Sequence, residues 1–75
     1  MEEIRFDSEF ITLGQLLKMT DAISSGGMAK WFLSENIVYV NGEEEQRRGR
    51  KLRNNDIVNI PTVGRFQMIG PENGD

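Results

Sequence analysis

The sequence predicts an α+β fold: two short helices packed on a small, mainly antiparallel sheet, with extra N- and C-terminal strands. Three observations carry that expectation. Leu13, Leu16 and Leu17 recur at helical spacing behind a threonine. A β-branched run, Ile37-Val38-Tyr39-Val40, leads directly into Asn41-Gly42, a pair that accepts positive φ at both positions of a hairpin turn. A second aliphatic run, Ile57-Val58-Asn59-Ile60, is closed by Pro61.

Along the chain, Ile4-Arg5-Phe6-Asp7 alternates apolar and polar residues, the pattern of a short strand with one buried face. Thr12 stands three residues before Gln15, which predicts a reciprocal capping box and a helix over 13–19. Gly14 weakens that helix slightly. Asp21 to Ser25 connects to a second helix over 26–35, capped by Ser24 or Ser25. Its buried stripe is Ala29, Phe32 and Leu33. Asn36 is expected to end this helix in the left-handed conformation that asparagine tolerates. After the Asn41-Gly42 turn, the returning arm is expected to run as a strand through Glu45 to Leu52. Arg53-Asn54-Asn55-Asp56 reads as a second turn, residues 63–69 as an edge strand, and 71–75 as a frayed tail. The core is expected to join Leu13, Leu16, Leu17, Ala29 and Leu33 to Val38, Val40, Ile57 and Val58.

Composition narrows the function. With 75 residues there is room for one domain over 1–75 and one small core. Cysteine is absent, which excludes a disulfide scaffold, a thiolate nucleophile and a cysteine metal site. Histidine is absent too, removing the commonest acid/base group near neutral pH and the commonest metal ligand. No carboxylate, lysine or serine pair stands at an interpretable catalytic spacing, and Gly26-Gly27 before Lys30 lacks the spacing of a nucleotide phosphate loop. We therefore expect no catalysis, no cofactor, no metal and no small-molecule substrate. No apolar run approaches the roughly 20 residues of a membrane span. A cytoplasmic, monomeric protein is the expectation.

The charge pattern points to a partner. The chain carries a formal net charge of −3, yet five of its nine basic residues fall between Glu43 and Arg53, directly after three consecutive glutamates. Guanidinium groups crowded this closely repel one another, and a counter-anion relieves the repulsion. The planar arginine fork suits phosphate oxygens. A nucleic-acid backbone is one reading. The other is a solvated hairpin whose acidic and basic arms neutralise each other. Glu43-Glu44-Glu45 resembles a metal site only superficially, because adjacent carboxylates on a strand point to alternating sides.

The order of motifs favours the first reading. Leu13 to Leu17, Ser25, Ala29-Lys30, Val38-Tyr39-Val40-Asn41-Gly42 and Asn55-Asp56-Ile57-Val58 together resemble the S4-type RNA-binding domain over about residues 10–60. The whole length is most similar to the small stand-alone bacterial members of that group, the YaaA-like proteins linked to ribosome maturation. The resemblance implies an αL-type RNA-binding motif, built from the two helices, beside the hairpin. Three positions depart from the family pattern. Gly26 replaces an arginine after the serine, which removes a phosphate contact. Asn36 and Asn55 replace glycines, and both keep a residue that accepts positive φ.

Carried over position by position, the family surface selects Lys30 and the basic segment Arg47, Arg48, Arg50, Lys51 and Arg53, with Lys18 as a neighbour. On a strand, Arg48 and Arg50 would share one face and Arg47, Lys51 and Arg53 the other, unless a bulge at Gly49 brings more together. Three or four first-line contacts are expected. Trp31 is expected to be a partly buried core residue, with base stacking the lesser reading. The resemblance implies recognition of structured RNA, ribosomal RNA above all, in ribosome assembly. The alternative is a protein-interaction module that binds an acidic protein surface through its basic hairpin.

Overall fold

The computed structural model describes residues 1–72. The expected frayed tail over 71–75 lies partly outside them, at residues 73–75. The elements are β1 (Glu2–Arg5), β2 (Ile11–Thr12), α1 (Leu13–Met19), a 3-10 turn (Gly26–Met28), α2 (Ala29–Glu35), β3 (Tyr39–Val40), β4 (Glu43–Glu44), β5 (Lys51–Leu52), β6 (Ile57–Ile60) and β7 (Gly64–Ile69). The fold is α+β. A five-stranded sheet has the order β1-β7-β6-β3-β4, and β2 pairs with β5 in a separate two-stranded ribbon. All pairings are antiparallel except β1 with β7.

Helix α1 starts where the capping box places it. The Gln15 backbone N–H donates to Thr12 Oγ1 at 3.2 Å, and the Thr12 N–H donates to Gln15 Oε1 at 2.7 Å. Leu13, Leu16 and Leu17 are buried completely beside Ala29, Phe32 and Leu33 of α2. The sheet face beneath them supplies Val38, Val40, Val58, Ile60, Phe66 and Met68, and Leu52 comes from β5. Asn41 and Gly42 take φ of 52° and 85°, as a two-residue hairpin requires.

Several local expectations are corrected. The second helix does not run unbroken over 26–35: the two glycines form a 3-10 turn, and α2 proper begins at Ala29. Ser25 precedes that turn with no side-chain capping bond, and the Ser24 hydroxyl meets Met28 Sδ instead. Asn36 is extended, at φ −134°. It closes α2 through its amide, which donates to the Phe32 carbonyl at 3.0 Å. Ile57 is only half-buried, because strand alternation turns Val58 and Ile60 inward together. The 63–69 strand is interior, held between β1 and β6.

Asn41 and Asp56 tie two turns together. Asn41 Nδ2 donates to Asp56 Oδ1 at 3.0 Å, and Asn41 Oδ1 accepts from the Ile57 N–H at 2.9 Å. Asp56 Oδ2 also accepts the Arg53 N–H at 2.8 Å. Asn55 sits at φ 74° within the same turn. The hairpin and the chain reversal after the basic segment are therefore one hydrogen-bonded unit.

Candidate nucleic-acid interface

The basic segment is not one continuous strand from Glu45 to Leu52; only Lys51–Leu52 is strand, as β5. After β4 the Glu45 N–H still donates to the Val38 carbonyl at 2.8 Å, and then the chain leaves the hairpin. A tight turn follows, closed by the Arg50 N–H on the Arg47 carbonyl at 3.1 Å, before the chain pairs with β2 as β5. The face-by-face alternation expected of Arg47 to Arg53 therefore gives way to a turn with Arg48 and Gly49 at its tip.

This turn is docked on the start of α1. The Leu13 N–H donates to the Arg50 carbonyl at 2.8 Å and the Gly14 N–H to the Arg48 carbonyl at 2.9 Å. Both are first-turn donors that no partner inside the helix can satisfy. The turn thus gains a fixed seat from backbone groups alone. Gly14 lies at the centre of this contact: a Cβ there would sit at van der Waals distance, 3.4 Å, from both the Arg48 carbonyl oxygen and Ala29 Cβ. Read in the sequence only as a weak helix former, Gly14 is where α1, α2 and the basic turn meet.

Three different environments receive the cations. Glu45, the single buried charged residue among those described, accepts Arg47 Nε at 2.9 Å, Arg47 Nη2 at 3.0 Å and the Arg47 backbone N–H at 3.1 Å. Arg50 Nη1 lies 3.7 Å from the same carboxylate. The Arg47 side-chain hydrogen bonds lower the Glu45 pKa to about 2, against an opposing contribution from burial and with further help from the Arg47 N–H. Lys51 Nζ and the Arg53 guanidinium lie over the Phe10 ring, 4.9 and 5.5 Å from its centre, within cation–π range. Lys18, Lys30 and Arg48 are exposed and have no ion-pair partner among the described residues.

Two adjoining grooves share Gly49. One, of about 460 Å³, runs between α1 and the 3-10 turn that leads into α2, and Lys18 and Arg48 line it. The other, of about 570 Å³, is lined by Arg47, Gly49, Arg50, Lys51 and Arg53. Six of the seven cations selected from the sequence thus line one groove or the other. Lys30 lines neither; it is exposed on α2 next to Ala29, which lines the first.

Trp31 corrects a further expectation. It is 57% exposed, not a core residue. At about 100° per residue it stands well off the stripe formed by Ala29, Phe32 and Leu33. Sequence reasoning also passed over Phe10 and Glu45. The first carried no signal beyond an isolated aromatic, and the second was concealed in a run of three identical residues.

Comparison with known proteins agrees with this geometry. The family model described as S4 domain matches residues 4–67, which extends beyond the 10–60 core to take in part of β1 and most of β7. The chain is similar to a Bacillus subtilis (strain 168) protein described as probable ribosome maturation protein RlbA. The two are 59% identical over 66 residues, covering 88% of this chain and 93% of that protein. With the two helices, the Asn41-Gly42 hairpin and the docked basic turn arranged as described, the chain belongs to the S4 domain family.

Proposed function

We propose that this protein is a non-catalytic RNA-binding protein, acting as a monomer in the cytoplasm, that recognises structured RNA, ribosomal RNA in particular, during ribosome assembly or maturation. The observation that carries the reading is the basic turn seated on α1 by two backbone hydrogen bonds. It fixes the backbone from which the cations project, which favours phosphates that are themselves held in a fixed array. A folded RNA element offers such an array and a flexible strand does not. Membership of the S4 family and similarity to a protein described as a probable ribosome maturation protein support the same reading.

The site consists of Lys18, Lys30 and Arg48, which have no ion-pair partner among the described residues, together with Arg47, Arg50, Lys51 and Arg53, which line the adjoining groove. Excess acidic charge elsewhere repels phosphates outside the patch, which disfavours indiscriminate coating of nucleic acid. The test is binding of ribosomal RNA fragments across a salt series. The Lys18→Ala/Arg48→Ala double variant should stay folded, bind more weakly, and flatten the dependence of log affinity on log salt by about 0.7–0.9 for each phosphate no longer neutralised. Unchanged affinity in the folded variant refutes this placement. Failure of structured RNA to compete with an acidic protein ligand would favour the protein-interaction reading instead.

A further inference from the structure

Glu45 is an anomaly on this surface: a buried carboxylate inside the densest group of cations in the chain. Building on the RNA-binding reading, we propose that Glu45 is a positioning residue: it is a built-in counter-anion that holds Arg47 and Arg50 against the turn and limits how much positive charge the turn offers to a polyanion.

The geometry supports this directly. Arg47 meets Glu45 through Nε, Nη2 and its backbone N–H, a forked contact that fixes the direction of the guanidinium plane. Arg50 Nη1 lies 3.7 Å from Glu45 Oε1, the oxygen that also accepts Arg47 Nη2. One negative charge set between two positive ones leaves a net charge of +1 on the three side chains. Arg48, at the tip between those two arginines, has no carboxylate partner among the described residues. The turn therefore presents one guanidinium without an ion pair, flanked by the hydrogen-bonded Arg47 and the ion-paired Arg50. Without Glu45 the same loop would offer three mobile guanidinium groups, able to adapt to any polyanion. With it, the loop suits phosphates at set positions and loses part of its attraction for flexible ones. Glu43 and Glu44 cannot substitute, since both are exposed on β4 and neither forms an ion pair among the described residues.

Glu45→Gln tests the proposal, because it keeps the side-chain shape and removes the charge. The net charge of the group rises from +1 to +2, about one additional phosphate neutralised. The salt dependence of log affinity for structured RNA should then steepen by about 0.7–0.9. Elution from heparin should move to higher salt, and the preference for structured RNA over poly(U) should narrow. Adding Arg47→Ala returns the group to +1, so the double variant should recover the wild-type salt slope and heparin elution. An unchanged slope and elution in folded Glu45→Gln, or a double variant that fails to revert, overturns the proposal. A purely structural role would lower the melting temperature and leave the slope alone.

If Glu45→Gln does not fold, the arginine Nε–H NMR signals of the wild-type protein decide the matter during titration with RNA or heparin. Arg48 should shift while Arg47 keeps its Glu45-bonded position; equal shifts overturn the proposal. A wild-type protein that binds heparin but no structured RNA would refute the functional reading and still leave the heparin comparison to judge Glu45.

Discussion

Leu17→Ala tests the packing that carries the site. Leu17 is completely buried between α2 and the sheet, and the next residue, Lys18, lines the Arg48 groove. Truncation to alanine removes three carbon atoms, worth about 2.4 kcal/mol at roughly 0.8 kcal/mol per methylene. An unfilled cavity adds to this, and Leu→Ala changes in cores fall at about 2–5 kcal/mol. A chain of this size has a total stability of about 4–11 kcal/mol at 0.05–0.15 kcal/mol per residue. A loss of 2.4 kcal/mol therefore lowers the melting temperature by roughly 10–19 °C, at about 4–8 °C per kcal/mol for a small domain. The assay is urea and thermal unfolding followed by far-UV circular dichroism. Tryptophan fluorescence is a poor probe here, since Trp31 is already exposed in the folded state. Met19→Ala, at an exposed position of the same helix, is the control and should change stability by less than about 0.5 kcal/mol. A Leu17→Ala protein that melts within about 2–3 °C of wild type, well below the range just derived, would refute the placement of α1 on the core.

Three further outcomes follow from the same geometry. The folded-state pKa of Glu45, about 2 against an ordinary 4.5, lies below its unfolded value, so its stabilising contribution is complete above pH 4.5 and is lost as pH falls toward 2. Acid unfolding of wild type and Glu45→Gln should accordingly converge across that window; a constant gap between them would count against the ion pair. Asn41→Ala removes two side-chain hydrogen bonds that join the hairpin to the Asp56 turn; at 0.5–1.5 kcal/mol each it should cost about 1–3 kcal/mol in urea unfolding. Trp31→Ala should leave stability within about 0.5 kcal/mol of wild type, and the native indole should emit at long wavelength and quench readily with acrylamide; a blue-shifted, protected emission would mean that Trp31 is buried after all.

The sequence by itself determined the features set by short-range rules. Thr12 and Gln15 are three residues apart, so their capping box could be read before any packing was known, and α1 begins and ends where expected. Asn41-Gly42 specified its turn by the backbone conformations those residues accept. Inward-facing Val38 and Val40 follow from strand alternation. The cationic residues and the family pattern were equally visible in the chain. The arrangement of those cations was not. Whether Arg47 to Arg53 ran as a strand depended on partners more than thirty residues away, at Leu13 and Gly14, whose N–H groups capture the carbonyls of the turn. Whether Gly14 was a defect or a close-packing position depended on Ala29 and Arg48 arriving beside it. The pairing of Glu45 with two arginines and the stacking of Lys51 and Arg53 on Phe10 were settled in the same way. Local propensity acts over about one helical turn or one hairpin, whereas the charge state and direction of a side chain depend on neighbours brought together by the whole fold. The sequence therefore supplied the cations, and tertiary structure decided which of them face outward without a partner.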